Sequence, residues 1–200
     1  MFYQPNARDR SVLPHDPFKA IIAPRPIGWV STMSSTGAVN LAPYSFFNAF
    51  ADRPPIIAFS SVGEKDSVVF ARETNEFVWN LASYALRDAM NATSASIPRG
   101  DSEFAHAGLK TAPCKLVRAP RVADSPCSLE CVVIEIKALR DKDDALIDCY
   151  VVFGQVVGVH IADDYIRDGR FDTAKAAPMT RAGYHDYSVA DKMFELVRPG

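Results

Sequence analysis

The sequence lacks both of the glycine-rich phosphate-binding motifs that are most readily recognised in a chain. No G-x-G-x-x-G and no G-x-x-x-x-G-K segment occurs among its 200 residues, so neither a Rossmann nor a P-loop nucleotide site is indicated. Internal repeats and low-complexity tracts are absent as well. The length, with 48% hydrophobic residues, suffices for one domain with a sizeable core. We therefore expect a single domain over residues 1–200.

Strong charge of either sign is also missing. The net charge is -2 and the pI about 6.1, whereas nucleic-acid-binding and membrane-surface proteins normally carry a basic stripe or tail. The most apolar stretch, residues 149–162, is too short for a membrane-spanning helix. Residues 1–18 lack the apolar segment of a secretory signal. These features predict no nucleic-acid partner, no membrane contact and a cytoplasmic location.

Cysteine is scarce, and its spacing does not indicate a metal centre. Of Cys114, Cys127, Cys131 and Cys149, three lie in strand-like apolar runs. No second His or Cys pair joins Cys127 and Cys131 at the spacing of a zinc site. A metal site and a catalytic thiol are alternatives, but the prediction is reduced core cysteines and no bound metal.

What the sequence does contain is a series of strand-like runs. Strands are predicted over IGWVSTMS, AVNLA, IIAFSSV and EFVWNLAS, and over residues 127–139 and 146–162, which the acidic turn RDKDDA joins as a hairpin. Residues 43–55 are predicted to be a loop or short irregular segment. Helices are predicted over residues 65–75, where Asp66 or Ser67 provides the cap, over 83–95 with an apolar stripe, and over 101–109.

The long run 146–162 suggests how these strands are arranged. Its odd-numbered positions are mostly apolar, and the other face carries Asp148, Tyr150, Gly154, Gly158 and His160. Glycines within so long a strand permit the sharp bend of a closing barrel. The fold class expected is mainly β with inserted helices (α+β), as a β-barrel.

Residues 24–67 combine rigid backbone with many hydroxyl, amide and aromatic side chains. In PRPIGWVST, the two prolines restrict themselves and the residues before them, which fixes where Arg25 and Trp29 point. Farther along, Lys65 precedes a helix whose first turn contains Ser67. A helix N-terminus with a lysine and a hydroxyl suits a phosphate. Each signal alone is more typical of a capped helix with a solvated lysine, or of aromatic residues in a core.

Together, these segments resemble a known family. PRPIGWVSTMSSTGAVNLAPYSFFNAFADRPPIIAFSS, KDSVVFARETNEFVWNLAS and RAGYHDY are similar to the flavin reductase-like proteins with an FMN-binding split β-barrel, which include flavoredoxins and the flavin reductase components of two-component monooxygenases. The resemblance runs from Pro24 to Tyr187. It implies a barrel core over about 20–162 and a tail, 163–200, that contributes to the site.

The resemblance implies a set of flavin-binding residues. Those expected beside the flavin ring or the ribityl chain are Arg25, Trp29, Ser31 and Thr32. Those expected on the ribityl-phosphate side are Ser45, Phe46, Phe47 and Asn48. Those expected at the phosphate are Ser61, Lys65, Asp66 (through its backbone N–H) and Ser67. Arg181 and Gly183 match the C-terminal site motif, although this chain has Ala182 where relatives often have a glycine.

The function implied is an FMN-dependent oxidoreductase that uses NADH or NADPH and passes electrons to a downstream acceptor, such as a partner monooxygenase. The flavin performs the chemistry, so no catalytic side chain is predicted. An electron carrier of the flavoredoxin kind, reduced by a protein partner, is one alternative, and a non-catalytic β-barrel ligand-binding protein is another. A homodimer is expected.

Overall fold

The computed structural model describes residues 1–98 and 101–199. The strands are β1 (Arg25–Pro26), β2 (Gly28–Met33), β3 (Val39–Tyr44), β4 (Phe47–Asp52), β5 (Pro55–Val62), β6 (Glu76–Asn80), β7 (Thr111–Ala112), β8 (Arg121–Val122), β9 (Cys127–Arg140), β10 (Leu146–Ile161), β11 (Ile166–Arg167), β12 (Arg170–Phe171), β13 (Met179–Arg181) and β14 (Tyr187–Val189). The α-helices are α1 (Phe18–Ile21), α2 (Asp66–Thr74), α3 (Arg87–Ala92), α4 (Glu103–His106) and α5 (Thr173–Ala176). Short 3₁₀ turns span Pro5–Ala7, Tyr84–Leu86 and Asp163–Tyr165.

The main sheet has seven strands in the order β3-β2-β6-β9-β10-β5-β4, and all neighbours are antiparallel. Its edge strands, β3 and β4, follow each other in the chain and are joined only by Ser45 and Phe46. So short a connection cannot span a flat sheet of this width, so the sheet must curl until its edges approach. The predicted fold, a split β-barrel with inserted helices, is confirmed.

The long hairpin of β9 and β10 forms much of the barrel wall. Val152 is fully buried, and Gly154 lies against the core ring of Phe77, where a Cβ would come within 2.3 Å of Cε1. The opposite face of β10, with Ile147, Val157 and Val159, is exposed. Most of the apolar face noted in the sequence therefore points outward, and the glycine-bearing face points toward the core.

Two apolar clusters hold the fold together. One fills the barrel, where Val68 and Ala71 of α2 pack against Val30, Phe59 and strands β6, β9 and β10. The second lies outside the β2–β3 wall and includes Trp29, Leu41, Ile27, Ala82, Met90, Phe104, Val122 and Met179. Helices α3 and α4 thus cover the outer surface of the first two long strands.

Two local predictions are wrong. Residues 43–55 are not irregular, because β3 continues to Tyr44 and the exposed run Phe47–Asp52 pairs with β5 as an edge strand. Neither Asp66 nor Ser67 is the N-cap of α2. Lys65 occupies that position in extended conformation, without a side-chain capping bond, so the helix begins at Asp66.

The C-terminal region returns to the start of the barrel. Strand β13 pairs with β1 on one side and β14 on the other. The four cysteines are free, and burial raises the pKa of Cys127 to about 11 and that of Cys114 to about 12. Within the described ranges, no helix has the length and apolar character needed to cross a lipid bilayer.

Candidate functional site

A long groove runs along β3, between the inserted helices and the C-terminal segment. It consists of a cavity of about 720 Å³ and one of about 560 Å³. Pro43, Tyr44 and Ser94 line both cavities, so the two adjoin each other. The groove is large enough for a ligand of cofactor size.

Arg25 lies at one end of the groove, in the larger cavity. Its guanidinium donates hydrogen bonds to the carbonyl oxygens of Lys19 and Ala182, the latter at 2.7 Å. Its Nε is buried and has no hydrogen-bond partner in the described part of the chain. Burial lowers the pKa of Arg25, and the charge of Arg181 lowers it further, but a guanidinium stays protonated. This end of the groove is therefore positively charged.

Arg181 lines the same cavity from β13. Its guanidinium lies 4.3 Å from the centre of the Tyr187 ring and donates to the Tyr184 carbonyl oxygen at 2.5 Å. These two contacts fix its direction. Tyr184, His185 and Tyr187 complete the wall, so the C-terminal segment supplies several lining residues.

At the other end, Lys65 and Asp66 line the smaller cavity at the start of α2. The Lys65 side chain is exposed. Glu103, from α4, faces the same cavity and accepts the backbone N–H of Leu41 at 3.0 Å. Burial raises the pKa of Glu103, the Leu41 N–H lowers it, and Asp66 raises it again. The cavity thus combines helix N-terminal N–H donors and an ammonium with two carboxyl groups.

A polar network connects this end of the groove to the strands beneath it. The amide of Asn40, which lines the cavity, donates to Ser67 Oγ at 2.7 Å and to Thr32 Oγ1 at 3.3 Å. The Tyr44 hydroxyl lies close to Ser67 and Ser61, and burial raises its pKa. The network therefore joins two predicted site residues, Thr32 and Ser67, through Asn40, and a third, Ser61, is buried near Tyr44 and bonds to the Gly63 carbonyl oxygen.

Another group of predicted residues lies at the turn between β3 and β4. Ser45 lines the larger cavity. Phe46, Phe47 and Asn48 line a neighbouring cavity of about 410 Å³, which shares Arg25 and Ser45 with the larger one. Phe47 stacks on Trp79 at 5.7 Å, and Asn48 Oδ1 accepts the Ala49 N–H. Their side chains do not line the main groove.

Three predicted residues face other structural elements. Trp29 is fully buried and donates from Nε1 to Thr93 Oγ1 at 3.0 Å, so it anchors α3. Ser31 donates to the Pro120 carbonyl oxygen at 2.6 Å. Gly183 packs against α1, where a Cβ would lie 2.4 Å from the Ala20 Cβ. These residues hold the walls of the groove in place.

Several lining residues were not predicted from the sequence. Asn40, Pro43 and Tyr44 lie in the segment VNLAPYSFFN, where the resemblance drew attention to the residues after them. Asn91 and Glu103 come from the inserted helices. Their positions depend on how those helices pack over β3, and no local sequence pattern predicts that packing.

Comparison with known proteins gives a consistent result. A family model described as "Flavin reductase like domain" matches residues 22–176. A protein of Halalkalibacterium halodurans, uncharacterized in function, is 34% identical over 184 residues, which cover 89% of this chain and 87% of that protein.

Solved structures share the fold. Nitrilotriacetate monooxygenase component B from Bacillus cereus superposes with a TM-score of 0.87 at 30% identity, covering 98% of each chain. Flavoredoxin of Desulfovibrio vulgaris superposes with a TM-score of 0.75 at 20% identity, covering 86% of this chain and 90% of that one. The resemblance noted in the sequence is confirmed.

Proposed function

Because this chain belongs to the flavin reductase-like family, we propose that it binds FMN in the groove along β3 and catalyses reduction of the flavin by NADH or NADPH. The single observation that carries this proposal is the charge distribution of the groove. An ammonium and a helix N-terminus stand at one end, and two guanidinium groups stand at the other.

The end at Lys65 fits a terminal phosphate. Backbone N–H donors at a helix start and a nearby ammonium form an anion site. Asn40, Thr32 and Ser67 support that end from below through their hydroxyl and amide bonds. We expect a phosphate monoester here and not the diester of FAD, because an adenylate attached to the phosphate would need further room.

The end at Arg25 fits the polar edge of a flavin ring. Its guanidinium, held by the carbonyl oxygens of Lys19 and Ala182, places a fixed positive charge at this end of the groove. Arg181 adds a second positive charge held by Tyr184 and Tyr187. When bound, the flavin supplies hydride and electron transfer. The two guanidinium groups favour an electron-rich ring electrostatically.

The nicotinamide has an adjoining cavity available. A space of about 410 Å³ shares Met90, Asn91, Arg181, His185 and Tyr187 with the larger cavity. In a chain without a dinucleotide-binding motif, NADH or NADPH would enter there and lie against the flavin. A partner monooxygenase is the acceptor we propose, by analogy with the protein called nitrilotriacetate monooxygenase component B.

We also propose a homodimer. Outward-facing apolar side chains on β4 and β10 include Phe50, Val157, Val159 and Ile161, of which Phe50 and Val159 are each 61% exposed. A two-fold interface on these strands would cover them. Sedimentation at micromolar concentration should give twice the mass of 22.0 kDa. A stable flavin-bound monomer would contradict it.

One anaerobic titration tests the reaction. Purified protein with bound FMN should lose its flavin absorbance when NADH or NADPH is added, and oxygen should restore it. If the protein binds FMN but neither nucleotide reduces it, the electron-carrier alternative holds. If FMN does not bind at all, the groove belongs to a non-catalytic ligand-binding barrel.

A further inference from the structure

Outside the groove, three metal-ligating side chains from distant parts of the chain meet. Cys114, Glu130 and His160 each offer one ligand atom, and the three atoms lie within 4.8 Å of one another. His160 Nε2 is 2.5 Å from Glu130 Oε1. None of the three lines either cavity of the groove, so the cluster is separate from the proposed flavin site.

A glycine in the barrel wall, Gly158, provides the space for this cluster. Glu130 on β9 pairs with Gly158 on β10, and His160 lies two residues farther along. A Cβ at Gly158 would come within 3.2 Å of the Glu130 carboxyl carbon. The missing side chain therefore leaves room for the carboxylate to cross β10 and reach the imidazole.

Backbone hydrogen bonds hold the carboxylate in one orientation. Glu130 is 1% exposed, and its two oxygens accept N–H bonds from Lys115, Leu116 and Val117 at 2.6–3.0 Å. Such bonds favour the ionised form of a buried carboxyl group. A fixed negative charge is thus preorganised directly beside the imidazole.

The Cys114 side chain packs against the small apolar cluster of Val78, Val117 and Ala119. Cys114 is half-buried and free, and its sulfur makes no hydrogen bond to any described residue. Glu76 and Glu130 lie near it as negative charges and Arg121 as a positive one, so carboxylates outnumber cations around the sulfur.

We propose that Cys114, Glu130 and His160 bind a divalent transition-metal cation, with zinc as the preferred ion. Sulfur, imidazole nitrogen and carboxylate oxygen together form a donor set typical of zinc. With three protein ligands, a water completes the tetrahedral coordination. The ion would replace the hydrogen bond between His160 and Glu130, and the two atoms would move apart to admit it.

Cobalt is the probe of choice, since bound flavin does not obscure its visible bands at the red end of the spectrum. The full chain, treated with chelator and then freed of it, is titrated with Co²⁺ and afterwards with Zn²⁺. We expect tetrahedral Co²⁺ bands to appear with one equivalent of metal and to be removed by Zn²⁺. Isothermal titration then gives the Zn²⁺ affinity directly.

Matched variants decide whether these residues are the ligands. Cys114→Ser and His160→Gln should each weaken Zn²⁺ binding at least about tenfold, while Cys127→Ser and Cys149→Ser should leave it unchanged. Circular dichroism confirms that each variant is folded. If Cys114→Ser does not fold, Cys114→Ala takes its place. Absence of metal binding at micromolar Zn²⁺, or equal affinity in the two sets of variants, overturns the proposal.

Discussion

Arg25 stands directly opposite Arg181 in the antiparallel pairing of β1 with β13. Like charges facing each other across two strands repel, and here the repulsion contributes to lowering the pKa of Arg25. A negatively charged ligand in the larger cavity, which both arginines line, would reduce this repulsion. We connect this with the flavin, because a reduced flavin carries more negative charge than an oxidised one.

Replacing Arg181 with Met should therefore weaken binding of reduced FMN more than that of oxidised FMN. Losing a charge-assisted contact costs about 1.5–3 kcal/mol, which is about 10- to 150-fold in affinity. The midpoint potential of the bound flavin, measured by spectroelectrochemistry, should become more negative. Arg167→Met, at the exposed strand β11, is the control. If the midpoint potential of the flavin is unchanged in Arg181→Met, Arg181 does not stabilise the reduced flavin electrostatically.

Replacing Lys65 with Met keeps most of the stem and removes the charge at the phosphate end. We expect FMN affinity to fall about 10- to 150-fold, the range for loss of a charge-assisted bond. Riboflavin has no phosphate, so its affinity should hardly change. Lys142→Met, in the distant β9–β10 turn, should bind both flavins as the wild type does. If the ratio of FMN affinity to riboflavin affinity is unchanged, Lys65 is a surface lysine that does not contact the phosphate.

Glu103→Gln should change how stability depends on pH. The carboxyl group binds its proton more tightly in the folded protein than at its ordinary pKa of 4.5, because it is buried. Its contribution to stability is therefore fully present below that value and is lost as pH rises through the folded pKa. The amide can still accept the Leu41 N–H. The variant should be more stable than wild type at neutral pH. The difference in the free energy of unfolding between the two proteins should decrease as the pH is lowered.

Urea unfolding across that pH range measures the Glu103 effect. Glu195→Gln, in the exposed C-terminal segment, supplies the comparison. A stability difference that does not vary with pH would show that the carboxyl group is not the source.

Gly154→Ala should destabilise the barrel, because the new methyl would lie 2.3 Å from Phe77 Cε1. Overpacking of this kind costs about 1–3 kcal/mol. Phe77→Leu removes the ring atoms that clash, so the double variant should be less destabilised than the two single variants added together. Denaturant unfolding of the three variants and the wild type measures the coupling energy. If the changes in the free energy of unfolding are strictly additive, the close approach of Gly154 to the Phe77 ring is contradicted.

Much of the barrel could be predicted from the sequence because its signals are local. Composition rich in β-branched and aromatic residues indicated β2, and a short apolar run indicated β5. Alternating apolar residues indicated β6 and strand β10 of the long hairpin, and helical spacing indicated α2. Strand β4 was missed because it lies at a sheet edge, and most of its residues are exposed. An edge strand is held by hydrogen bonds to one neighbour. Because both of its faces can be exposed, its sequence need not alternate between apolar and polar residues.

The site was predictable only in part, because long-range packing decides which side chains reach the groove. Arg25 and Lys65, two of the residues singled out in the sequence, both line the groove. The positions of Trp29 and Ser31 follow from α3 and from the segment at Pro120, each far away in the chain. The Cys114, Glu130 and His160 cluster has no sequence signature either, since three separate segments contribute one residue each.

The bond between the Glu103 carboxylate and the Leu41 N–H has a consequence for how copies of this chain meet. Strand β3 is an edge of the seven-stranded sheet, and edges of that kind can capture a strand from another molecule. At Leu41 the donor that an incoming strand would need is already taken, and a negative charge lies beside it. The same side chain that narrows the groove thus discourages aggregation through β3.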